Sequence, residues 1–141
     1  MSTPVIVYVL TALAALVIVL TRIRLKGGDR GAGHAQVGTG ALNVHTFAGT
    51  LALLFWVPFL VAGNKTLLGS ALFGIIAIFF WWVTTIAGLL ILLRWLPSRG
   101  RHASAASEDT WSDGPGLSLL AHFGMLCGVA VFTFAYLTSA V

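Results

Sequence analysis

Apolar residues in this chain gather into four long runs, each closed by polar or basic residues, and nowhere do polar and apolar positions alternate for the length of a strand. The longest run, TLLGSALFGIIAIFFWWVTTIAGLLILLRWL at 66–96, goes 28 residues before its first charge, Arg94. About 20 apolar residues cross the hydrocarbon of a bilayer as a helix, so this run is long enough to span. The run PVIVYVLTALAALVIVL, ahead of TRIRLK, and the runs at 41–62 and 117–139 fit the same reading. The pattern predicts an all-α integral membrane protein, an antiparallel four-helix transmembrane bundle with short loops. Its helices fall at about 4–22, 41–62, 66–96 and 117–139, and 1–141 forms a single membrane domain. A transmembrane barrel would need repeated alternation, which is missing.

Punctuation supports these limits. Pro4 suits a first helical turn, where its missing N–H costs nothing. Pro58 removes the bond to the Leu54 carbonyl and is expected to loosen the last turns of the second helix. Pro97 stops the third, with Trp95 placed for the headgroup level. Gly63, Asn64 and Lys65 read as a tight turn, whereas the glycine-rich stretch GGDRGAGHAQVGTG reads as a flexible loop. That stretch follows no strand and lacks the GKT or GKS of a phosphate loop. The first run has basic residues after it rather than a small-residue cleavage site, so it is expected to be an uncleaved anchor.

Composition narrows the class. With 58% hydrophobic and 9% charged residues, the chain has too few charges to cover a water-soluble surface. Lysine and arginine exceed acids 8 to 4, but they sit at the ends of apolar runs rather than in one stripe, so no nucleic-acid partner follows. Arg22, Arg24, Lys26 and Arg30 fall between the first two helices, and Arg94, Arg99 and Arg101 between the last two. Against them stands Lys65 alone. The positive-inside rule therefore predicts cytoplasmic loops at about 23–40 and 97–116, both termini outside, and a cytoplasmic (inner or plasma) membrane location. Cys127 is the single cysteine, which excludes an internal disulfide and a closed cysteine-based metal site.

Two histidines carry the candidate chemistry. LNVHTFAG in the second helix and SLLAHFG in the fourth share an apolar lead-in followed by histidine, phenylalanine and glycine, which makes the molecule read as two weakly similar hairpins. His45 and His122 thereby fall at matching depths, about 6–9 Å below the cytoplasmic edge. Ionisable residues inside a membrane span are functional hypotheses by default. Two imidazoles from different helices at one level suit the axial positions of a b-type haem, with Arg22, Arg24 and Arg94 placed to meet its propionates. Along the second helix His45, Gly49, Ala52 and Trp56 share a face, and Met125 and Val129 share one with His122. The competing reading has the two histidines fixing helix packing through hydrogen bonds. A quinone or lipid headgroup is a further occupant to weigh. A catalytic metal lacks a third ligand, since no acid or further histidine falls inside a span.

Small residues and tryptophans supply the packing signals. Gly49, the pair Ser70 and Gly74, and the pair Gly124 and Gly128 allow close helix approach. Trp81 and Trp82 fall mid-span, where an indole N–H must be buried or paired, so at least one is expected to face a neighbouring helix, a subunit or a ligand. No loop shows a nucleophile and base or a phosphate cradle. The chain thus reads first as a non-catalytic membrane subunit or scaffold, with other membrane subunits as partners in a respiratory or other envelope complex. The alternatives are an electron-transfer subunit with one haem on His45 and His122, and a small transporter or channel component.

Overall fold

The computed structural model describes residues 1–26, 39–98 and 116–141, with side chains over 1–20, 40–93 and 119–141. Most of both basic loops, and the side chains of Arg22, Arg24, Arg94 and Trp95, lie outside the described residues. Four helices follow in order: α1 (Thr3–Lys26), α2 (Thr39–Val61), α3 (Ala71–Ser98) and α4 (Gly116–Leu137). Each holds a stretch long and apolar enough to cross a membrane: Thr3–Leu20, Gly40–Val61, Ala71–Leu93 and Leu119–Leu137.

Each helix packs on its neighbours in chain order, and α4 closes the ring onto α1; the α2–α3 contact is the most extensive. Neighbours run antiparallel. Tyr8, near the start of α1, donates to the Leu60 carbonyl near the end of α2 at 3.0 Å. Tyr136, near the end of α4, donates at 3.0 Å to the Ala71 carbonyl that opens α3.

The helix ends differ from the sequence expectation in instructive places. α1 continues to Lys26 because Arg, Leu and Lys are good helix formers and nothing stops them before Gly27. α2 runs through Pro58 to Val61, with the Ala62 N–H bonded to the Pro58 carbonyl at 2.8 Å. α3 starts at Ala71 rather than at 66. Thr66 is engaged with the loop instead: its hydroxyl donates to the Gly63 carbonyl at 2.8 Å and accepts from the Gly69 N–H at 3.1 Å. Such local bonds offer the backbone an alternative to the helix. A Cβ on Gly69 would lie 2.6 Å from the Gly63 carbonyl oxygen, so this close crossing requires glycine. α4 stops at Leu137, where Ser139 takes a positive φ of 53°. The Ala140 N–H then bonds the Ala135 carbonyl at 2.8 Å and the Ser139 N–H the Tyr136 carbonyl at 3.1 Å, a Schellman cap.

Inside the ring lies an aromatic stack. Trp56, Trp81 and Phe132 are fully buried, with Trp56 and Trp81 centred 5.1 and 5.4 Å from Phe132. Phe59 extends the stack from Trp56 to Tyr136. Gly74 makes room for its end, because a Cβ there would overlap the Tyr136 ring and meet Phe59 at 3.0 Å. Two indoles tie helices together. Trp56 Nε1 donates to Thr11 Oγ1 at 3.0 Å, and Trp82 Nε1 to Thr133 Oγ1 at 3.2 Å. Each threonine in turn donates to the carbonyl four residues back. The outer faces carry Leu13, Leu16, Leu54, Phe79, Ile86, Leu90, Phe123 and Phe134, an apolar surface suited to lipid.

Candidate functional site

The sequence places His45 one turn before Gly49 on α2, and Gly49 brings three helices together beside the imidazole. A Cβ on Gly49 would meet Ile18 Cδ1 of α1 at 2.8 Å and Thr84 Cγ2 of α3 at 3.3 Å. His45, Gly49, Ala52 and Trp56 are all buried, so this face of α2 looks into the bundle. His45 is only 5% exposed, and its Nδ1 has no hydrogen-bond partner among the described residues. A buried polar atom left in this way costs free energy and asks for an explanation.

His122 reaches the same place from α4. The meeting point is Gly88 of α3: a Cβ there would stand 2.9 Å from His122 Cδ2, 3.3 Å from His122 Nε2 and 3.3 Å from His45 Cδ2. Both rings thus bring Cδ2 to one side-chain-free spot, His122 with its Nε2 as well. Val17, Thr84, Thr85 and Met125 complete the cleft around them, so all four helices contribute to it. The threonine hydroxyls are committed to their own helix, Thr84 donating to the Phe80 carbonyl at 2.8 Å and Thr85 to that of Trp81 at 2.9 Å.

The donor set decides what chemistry fits. Among the described residues no group of three His, Cys, Asp or Glu side chains comes together. A metal ion that relies on protein for its coordination would find two imidazoles and one thioether. A haem iron brings four nitrogens of its own and requires two axial ligands, which is the number of imidazoles converging here, but the cleft between the rings has room for about one water, so a porphyrin would need the helices to part.

The other residues singled out from sequence are dispersed. Trp82 bonds α4, while among the described residues the fully buried Trp81 has no partner for Nε1, and Ser70 Oγ is likewise unpartnered. Gly74 adjoins the aromatic stack at the other end of the bundle. Among the described residues, Gly124 and Gly128 would each accept a Cβ with nothing within 4 Å, so they make no close helix approach there. Val17, Thr84, Thr85 and Gly88 were missed by the sequence reading. A signal for three of them existed: TTIAG is a polar and small cluster inside an otherwise bulky apolar run, and Trp81, Thr84, Thr85 and Gly88 recur at helical spacing. Comparison with protein-family models, with curated proteins and with solved structures finds no match for this chain.

Proposed function

We propose that this chain is a membrane electron-transfer subunit that holds one b-type haem through His45 and His122. The observation that carries the reading is the convergence of the two imidazoles beside Gly88. His45 would ligate from α2 and His122 from α4, on helices that are not neighbours in the ring. The haem supplies a reversible one-electron centre. His45 and His122 would hold it, and the apolar Val17 and Met125 would line its surroundings. In the orientation expected from the basic loops, with both termini outside, the site lies in the cytoplasmic half of the membrane.

The test is an absorption spectrum of the gently purified protein before and after dithionite, with haem assayed per chain. We expect a reduced b-type spectrum near one haem per chain, lost in His45→Ala and in His122→Ala. A colourless but folded protein would end this reading.

A second reading, a non-catalytic subunit that packs against partner helices, draws on the unfilled space over Gly124 and Gly128 on α4. It predicts a colourless protein that co-purifies with stoichiometric membrane polypeptides, and loses them in Gly124→Leu.

A further inference from the structure

We infer that the cleft between His45 and His122 is a site for a single copper(I) ion, held by the two imidazoles and the thioether of Met125. This does not rest on the haem reading. A porphyrin needs the helices to part, whereas an ion no larger than one water suits the cleft as it stands. Three donor side chains suited to a soft metal line that space, His45 from α2 and both His122 and Met125 from α4. The last two are three residues apart, the spacing that puts side chains on one face of a helix. His45 is buried and its Nδ1 lacks a hydrogen-bond partner among the described residues, so ligation through Nδ1 would give that atom the partner it lacks.

The donor set selects the ion. As ligands all three groups are neutral, and the four acids of the chain fall outside the spans, so no carboxylate there offsets a second positive charge in the membrane. Thioether sulfur is a soft ligand that favours copper(I), and imidazole binds copper as well. Zinc draws its ligands from thiolate, imidazole and carboxylate, and magnesium and calcium take oxygen. Haem and copper(I) would use the same histidines, so a chain holds one or the other.

The experiment uses the full chain without a histidine tag, purified from cells that make no haem. It carries Cys127→Ser, because an exposed thiol binds copper(I) by itself; Met1 and Met125 are then the only sulfurs. Copper(I) is titrated anaerobically against bicinchoninate, and the bound metal is studied by X-ray absorption. One ion per chain is expected, with two nitrogen neighbours and one sulfur. Met125→Leu nearly conserves side-chain volume. It should remove the sulfur and weaken binding about tenfold or more, since losing a ligand costs at least as much as losing a partner that orients one. His45→Ala and His122→Ala should each abolish stoichiometric binding, with helicity by circular dichroism unchanged. No copper retained by the parent chain overturns the inference, and so does copper bound with the same sulfur signal and affinity in Met125→Leu. Zinc(II) held as tightly as copper(I) by the same residues also overturns it. Cells supplied with haem give a separate result: colourless protein from them ends the haem reading and leaves this site standing, while failure to bind copper leaves the haem reading untouched.

Discussion

At the scale of single residues, polar atoms inside the bundle fall into two kinds, and mutation should separate them. Trp56 Nε1 has a partner on another helix and Trp81 Nε1 has none among the described residues, although both rings are fully buried. Trp56→Phe keeps an aromatic ring but strips the donor from Thr11, and is expected to destabilise the bundle by about 0.5–1.5 kcal/mol, the scale of interhelical hydrogen bonds in membranes. Trp81→Phe removes an unpartnered N–H and should cost less, despite the greater depth of its ring in the apolar run. Unfolding in mixed micelles against dodecyl sulfate measures both, and an equal loss would show that ring volume rather than hydrogen bonding dominates. The pairing of His45 with His122 was legible from their equal offsets from the helix starts. Gly88 was not, because a glycine in a spanning helix carries no mark of which neighbour occupies its vacant side. Only the rotation of α3 against α2 and α4 reveals it.

Elements show where hydropathy stops being informative. Runs of apolar residues located all four helices, yet 66–70 is apolar enough to be read as helix and is loop. What decides is a threonine hydroxyl shared between the Gly63 carbonyl and the Gly69 N–H, a local competition that a hydropathy window averages away. The close crossing at Gly69 yields a prediction. Gly69→Ala should destabilise by about 1–3 kcal/mol, because its methyl would meet backbone oxygen that cannot turn aside. Gly63→Ala, with nothing within 4 Å, is the matched control in the same unfolding assay. The end of α4 gives the opposite sign. Ser139 holds the left-handed conformation of a Schellman cap, so Ser139→Gly is expected to stabilise by about 1 kcal/mol. A loss of stability on that change would mean that the serine side chain contributes more than its backbone strain costs.

At the scale of the whole molecule, topology is the first thing to check. A reporter active only in the cytoplasm should be silent when fused after Val141, as the seven basic residues against Lys65 require; a strong signal would invert the bundle. A further consequence follows from how unequally the helices pack. α2 and α3 form by far the most extensive contact, and α4 packs less extensively on α3 and on α1. Of the two imidazoles, His45 belongs to the tight hairpin and His122 to the loosely held last helix. During biosynthesis the hairpin is thus complete before His122 emerges, and a cofactor bound as proposed would act as a clasp joining α4 to the middle of the chain. Cells starved of the cofactor should then carry less of this polypeptide, because membrane proteases would find α4 undocked. A pulse-chase comparison of wild type with His122→Ala, with and without cofactor supply, would read this as a lifetime: supply should lengthen that of the wild type and leave the variant's short.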